Sequence, residues 1–260
     1  MFWDWHFNCL RSCRFEQRHF QLQSCAVRIL SIDTSTRSGG VAVLEDDFIM
    51  DHIFERSDEA YSSRLFRSLD LLLSRLSLSA KDFDLYSVAA GPGSFTGLRV
   101  GLTAVKAWAE LYGKPIAAVS GLEAIAAQST ASSGCIAVAT DGRRGQVFGA
   151  VYRAGDGTGR LELVGEEMLA SASEFAAETV ASARSESVAF ITPTPELFLP
   201  TVIAAGLRPA RVERASDDLA PWIGKIGFRQ FECGETVDAL SLDANYIRRC
   251  DAEVYWKQPK

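Results

Sequence analysis

Apolar and polar positions along this chain fall into short blocks that alternate between two periods. Residues 28–33, Arg-Ile-Leu-Ser-Ile-Asp, form an apolar run of strand length. A turn over 34–39, a strand over 40–45, a turn at Asp46-Asp47 and a strand over 48–54 follow. The period then changes. Leu65, Leu69, Leu72, Leu73 and Leu76 recur at helical spacing and predict a helix over 62–78. Next come a buried strand over 86–90 and a helix over 98–112, stopped by Gly113-Lys114-Pro115. A strand over 116–119 and a helix over 122–128 close this half.

The second half starts the order again. Residues 135–141 read as a strand ending in an Asp, followed by a turn through Gly142-Arg143-Arg144-Gly145 and a strand over 146–153. A Gly/Asp-rich turn at 155–159, a strand over 161–166, a helix over 173–183 and a strand over 188–192 complete it. Residues 217–231 predict a helix with a break between Gly224 and Gly227. Both halves read β-β-β-α-β with an Asp, Asp33 or Asp141, at the end of the first strand. This repeat predicts an α/β protein of the duplicated actin/sugar-kinase/Hsp70-like (ASKHA) fold. The expected lobes are residues 27–130, with 240–260 packing back on them, and residues 131–239. Residues 1–26 show neither period and are expected to lie outside the fold; an amphipathic arm is the alternative.

Composition narrows the function classes. A chain of 260 residues, 47% hydrophobic, can bury one large core or two smaller ones. Its net charge of −6 disfavours strong, autonomous nucleic-acid binding, which needs a basic balance or basic clusters. No apolar run approaches the roughly 20 residues that span a bilayer, and the first residues carry no apolar leader core. A cytoplasmic protein is expected. Of six cysteines, Cys9, Cys13 and Cys25 crowd the first 26 residues, and Cys9 and Cys13 with His6 and His19 fit no metal template.

Residues 91–101, Gly-Pro-Gly-Ser-Phe-Thr-Gly-Leu-Arg-Val-Gly, turn the chain from strand into helix. Gly91 and Gly93 permit backbone angles closed to other residues, and Ser94 or Thr96 can cap the helix. Such a turn either aims amides at an anion or lets backbone pack closely against something else. It matches neither the nucleotide P-loop nor the dinucleotide fingerprint, so both readings stand.

Asp33 and Asp141 could hold a metal–phosphate complex between the lobes. Each could instead cap its own turn through an Asx hydrogen bond. The two readings balance for Asp141, and the cap is preferred for Asp33. Arg143 and Arg144 could bind an anion, although a solvated turn is simpler. The only histidines are His6, His19 and His52, which leaves no zinc-protease pair and no Ser-His-Asp set. Pro193 and Pro195 stand where a kinase of this fold would need glycine beside an adenine ring. Gly97, Gly101 and Ala104 form a stripe of small residues at i, i+4 and i+7 that would let another helix approach. Trp108, Leu111, Phe66 and Leu71 widen the apolar surface beyond one core stripe, as a partner-binding face would.

Residues 27–36 (Val-Arg-Ile-Leu-Ser-Ile-Asp-Thr-Ser-Thr), 91–101, 141–148 (Asp-Gly-Arg-Arg-Gly-Gln-Val-Phe) and 246–253 (Tyr-Ile-Arg-Arg-Cys-Asp-Ala-Glu) together resemble the bacterial TsaB (YeaZ) family of the glycoprotease-like superfamily. The resemblance runs from Val27 to the C-terminus and is most specific at 91–101. It implies a non-catalytic partner of TsaD in threonylcarbamoyl transfer to the adenosine beside the anticodon of tRNAs that read A-starting codons. TsaE would join the pair, and tRNA would be met through the assembly. No cofactor of its own is implied; ATP and metal belong to the partners. The heterodimer would form through the first-lobe helices, and a homodimer through the same surface when the chain is alone. The expected contact residues are Leu65, Leu69, Leu72, Gly97, Gly101, Ala104 and Trp108. Asp33, Thr34, Ser35, Asp141 and Arg143 would make a vestigial nucleotide or anion site. Tyr61 replaces a histidine common in the family, and Gly142 an alanine. Val27 stands where relatives begin, so the native chain is expected to start there. The alternative is an autonomous enzyme of the same fold, a small-molecule kinase or a glycoprotease-like peptidase.

Overall fold

The computed structural model describes residues 26–155 and 160–247. Residues 1–25 with Cys9, Cys13, Cys25, His6 and His19, most of the turn at 155–159, and the end at 248–260 with Cys250 lie outside the described residues.

β1 (Arg28–Asp33) pairs antiparallel with β2 (Ser38–Glu45), which pairs antiparallel with β3 (Phe48–Arg56). On its other side β1 runs parallel to β4 (Leu85–Gly91), and β4 to β5 (Ile116–Ser120). The sheet order is β3-β2-β1-β4-β5. Alternation along β1 divides its two faces. Leu30 and Ile32 point into a core shared with α1 (Tyr61–Leu76) and α2 (Phe95–Tyr112), while Ile29 points into a second core on the opposite face.

The second sheet repeats the plan. β6 (Cys135–Arg143) is central, antiparallel to β7 (Gln146–Ala154) and parallel to β10 (Val188–Thr192). The third-strand position is shared by β8 (Leu161–Leu163) and β9 (Met168–Ser171), both paired with β7, where one strand over 161–166 was expected. β11 (Arg211–Arg214) lies beside β10. Read from the third-strand side, the order β8-β7-β6-β10-β11 matches that of the first sheet, so the chain has the duplicated ASKHA-like fold. α3 (Gly121–Ala126) links the halves. Phe175 and Ala176 of α4 (Ala172–Ala183) and Phe198 and Val202 of α5 (Pro195–Ala204) cover the second sheet. α5 was not expected from the Pro-rich stretch. Pro195 sits in its first turn, where the missing N–H costs nothing.

One element departs from the expected lobes. α6 (Ala220–Glu232), within the span 131–239 expected for the second lobe, docks on β1, β2, β4 and β5 of the first sheet. It is continuous through Gly224 and Gly227, where a break was expected. These glycines let the helix lie close: a Cβ at Gly224 would collide with the Leu44 side chain, and one at Gly227 with Ser87 Oγ. Two serines of the sheet fix the contact. Ser31 Oγ donates to Ala220 O (2.6 Å) and Ser87 Oγ to Ile223 O (2.8 Å). Among the described residues no helix is long and apolar enough to cross a membrane.

Candidate functional site

The Gly-rich stretch meets the turn after β1, and its glycines are used in that contact. Ser94 caps α2 by accepting from Gly97 N (3.3 Å), while its own amide donates to Ser35 O (2.6 Å). A Cβ on Gly93 would collide with Ser35 O, and one on Gly97 with Thr34 O. A Cβ on Gly101 would lie 2.5 Å from Thr34 Oγ1. Gly91, at φ 134°, faces Asn245 O of the returning C-terminal segment. Of the two readings open for this stretch, the geometry supports close backbone packing. The amide of Ser94 is taken by protein.

Asp33 is fully buried at that contact. Its Oδ1 accepts from Ser35 N (2.8 Å) and Ser35 Oγ (2.7 Å), an Asx turn. Its Oδ2 has no hydrogen-bond partner among the described residues. Burial pushes the Asp33 carboxyl up to about 6 against the Ser35 bonds, with the Asp218 carboxylate adding to the rise and Arg64 opposing it. Asp218 pairs with His52 Nε2 at 3.0 Å. Arg64 is buried, donates to Arg37 O (2.8 Å) and lies 3.8 Å over the Tyr61 ring. In the other lobe Asp141 is exposed and makes the same kind of turn, accepting from Arg143 N at 2.7 Å. Asp33, Thr34 and Ser35 are thus brought together under α2, while Asp141 and Arg143 stand in the β6–β7 hairpin, sharing no hydrogen bond with them. Among the described residues no three His, Cys, Asp or Glu side chains are placed to hold a metal ion.

Two raised carboxyls give a pH prediction. Asp33 rises to about 6 and Glu123, through burial and the nearby Glu167 carboxylate, to about 7. Raised folded values mean that the native state holds protons the unfolded chain has released, so stability falls as pH rises from about 4 to about 7. Asp33→Asn and Glu123→Gln are each expected to flatten that fall, read as melting temperature against pH. Parallel slopes in wild type and both variants would refute the assignment.

The expected partner surface needs correction. Leu65, Leu69, Leu72 and Ala104 are buried in the first-lobe core, and Gly97 and Gly101 are buried against Thr34. These six residues form the core side of α1 and α2. The small stripe accommodates the turn after β1 instead of a foreign helix. Trp108 alone of the seven is half exposed, its ring 5.9 Å from Tyr86 and 6.5 Å from Phe66. Beside it Phe66 is 55% exposed and Leu111 70%, with Val100 and Ala107 on the same side of α2. The available apolar face is therefore Phe66–Trp108–Leu111.

Glu167 forms a junction that no motif announced. It accepts from Ser120 Oγ at the end of β5, from Tyr152 Oη on β7 (3.1 Å) and from Asn245 Nδ2 (2.6 Å). Asn245 N in turn donates to Ala90 O at 2.8 Å. One carboxylate therefore joins both lobes to the C-terminal segment that lies on Gly91. Its partners are 47, 15 and 78 residues away, so no local pattern could have revealed it.

Comparison with known proteins agrees with this architecture. Residues 53–225, well over half of the chain, match the TsaD family, described as tRNA N6-adenosine threonylcarbamoyltransferase. Over 125 residues the chain is 37% identical to the tRNA threonylcarbamoyladenosine biosynthesis protein TsaB of Bacillus subtilis (strain 168), which is 48% of this chain and 55% of that protein. The chain belongs to the TsaB (YeaZ) family. TsaB of Escherichia coli (strain K12) is 32% identical over 129 residues, 49% of this chain and 55% of that protein. The chain spans about half the length of the curated relatives it matches. The solved structure of YeaZ from Pseudomonas aeruginosa superposes with a TM-score of 0.70 over 85% of this chain and 99% of that one. At 23% identity that likeness speaks for the fold alone.

Proposed function

We propose that this member of the TsaB family is the non-catalytic partner and activator of a TsaD-like threonylcarbamoyltransferase. In this role it supports formation of threonylcarbamoyladenosine beside the anticodon of tRNAs that read A-starting codons. The observation that carries the proposal is the solvent-facing apolar strip Phe66–Trp108–Leu111 on the paired helices α1 and α2. Bare aromatic and aliphatic side chains on one helix pair are what a helix-bundle interface buries. The names of the relatives supply the pathway. TsaE joins the assembly, ATP and metal belong to the partner proteins, tRNA is met through the complex in the cytoplasm, and the same strip serves self-association when the chain is alone.

Mixing the purified chain with the TsaD homologue of the same organism should give a stoichiometric pair on gel filtration. Phe66→Asp and Leu111→Asp should each cost about 2 kcal/mol of binding, roughly 30-fold in Kd, with the melting temperature unchanged. Absence of a complex would end the proposal. ATP turnover or proteolysis by the chain alone, lost in Asp141→Ala, would establish an autonomous enzyme instead.

A further inference from the structure

A groove of about 150 Å³ runs between α2 and the C-terminal segment, lined by Arg99, Leu102, Thr103, Lys106, Asp243 and Tyr246 among others. Arg99, Thr103 and Lys106 stand at i, i+4 and i+7, so they share one side of α2. Arg99 is held in place without being neutralised. Its guanidinium lies 3.7 Å over the Phe95 ring, and its Nε donates to Tyr246 Oη at 3.2 Å. Phe95 and Tyr246 are themselves packed at 5.0 Å. Stacking on one side and a hydrogen bond at Nε hold the guanidinium plane, and among the described residues neither terminal nitrogen has a hydrogen-bond partner, which leaves two N–H donors of the kind that grip a phosphate. Among the described residues neither Arg99 nor Lys106 has a carboxylate partner. Asp243, the one acid in the lining, is turned onto its own backbone, with Oδ1 accepting from Ala244 N at 2.7 Å. Asp243 keeps its charge, so the groove carries two cations against one carboxylate and its lining is net positive.

We propose that this groove binds the phosphate groups of a nucleotide, Arg99 gripping one as a fork and Lys106 a second. Seven positions of helix set the Arg99 and Lys106 backbones roughly 10 Å apart along the axis, a spacing suited to two phosphates of one strand. The volume is below that of a pocket that encloses a whole small molecule, about 300 Å³ or more, so only phosphates enter and the rest of the ligand lies outside. The exposed Tyr246 ring offers a stacking surface next to the fork. With a net charge of −6 on the chain, affinity is modest and confined to this groove.

The test uses the full chain alone, so its outcome is independent of partner binding and of the proposed role in the complex. Fluorescence anisotropy with a labelled hexamer of uridylate should show binding whose log K falls with log salt at a slope of about −1.4, as two neutralised phosphates on a single strand require. Arg99→Ala and Lys106→Ala should each weaken it about tenfold, Thr103→Glu should abolish it, and Lys106→Arg should retain it. Arg99→Lys should fail to restore it, because an ammonium cannot form the fork. All these side chains line the groove, and melting temperatures check that the variants fold. Competition by AMP and inorganic phosphate separates the sources. AMP and inorganic phosphate each bring a single phosphate, so displacement by either at comparable concentration would overturn the two-phosphate site, and displacement only by oligonucleotide would support it. No binding in any arm, or equal affinity in Arg99→Ala, Lys106→Ala and Thr103→Glu, would overturn the proposal.

Discussion

Gly101→Trp is expected to unfold the protein, not to block a partner. The first added atom, the Cβ, would lie 2.5 Å from Thr34 Oγ1 and 3.5 Å and 3.6 Å from side-chain carbons of Val88 and Ile32. All three neighbours are fully buried. An indole beyond that Cβ has no open volume to enter, and it would force α2 off the turn that holds Asp33. Inserting even a few methylenes into a packed core costs about 1–3 kcal/mol. A whole indole there should exceed that and remove most of the roughly 5–15 kcal/mol that holds a domain folded. Gly97→Ala should be damaging for a sharper reason, since its Cβ would meet the backbone oxygen of Thr34, which cannot swing aside. Leu111→Trp, on the exposed side of the same helix, should leave stability within about 0.5 kcal/mol of wild type. Urea melts of the three variants check the expectation. A Gly101→Trp protein that melts like wild type yet loses its partner would return the small stripe to the interface.

The same stripe marks how far the sequence could be read. Period gives which residues share a helix face, and on that basis α1, α2, β1 and β10 were placed to within a few residues. It does not give what lies opposite the face. Gly97, Gly101 and Ala104 look alike whether they meet a foreign helix or the chain's own Thr34. Extra apolar residues outside the stripe, Phe66, Trp108 and Leu111, were the better guide to which side of the helix pair stays exposed, because a helix on a sheet buries only one stripe. α6 was misplaced for a related reason. Its glycines break helices in isolation, but here they pass over Leu44 and Ser87 of a sheet more than a hundred residues away, and burial there outweighs their poor propensity. The Asx turn at Asp33 was legible because its bonds are local, whereas at Asp141 the sequence left the turn and the anion site balanced. The Arg99 groove was not, since Tyr246 is 147 residues from Arg99.

Replacing Glu167 by Ala should loosen the joint between the lobes. The change removes the acceptor of Ser120 Oγ, Tyr152 Oη and Asn245 Nδ2 at once. Hydrogen bonds to a charged group contribute about 1.5–3 kcal/mol each, and a buried hydroxyl left without a partner keeps its desolvation cost. Tyr152 is buried, so its hydroxyl cannot turn to water and is left with the Ser120 hydroxyl as its only hydrogen-bonding neighbour among the described residues. Ser120 keeps its second function, since its Oγ still accepts from Leu122 N at 3.1 Å to cap α3. One effect runs the other way. Glu167 helps to push Glu123 up, so its removal relieves a like-charge repulsion and returns part of the loss. The net expectation is a loss of about 2–4 kcal/mol. Glu167→Gln should lose less, because its amide oxygen still accepts from the two hydroxyls. Asn245→Ala should cost least, about 1 kcal/mol, and act only on the C-terminal segment. Hydrogen exchange gives the spatial signature: faster exchange at the Asn245 amide, which donates to Ala90 O, with the core amides of β1 and β4 still protected. Glu167→Ala with wild-type melting and wild-type exchange at Asn245 would show that the lobes are held by the apolar contacts around α6 and α3 alone, and that the carboxylate is incidental to the joint.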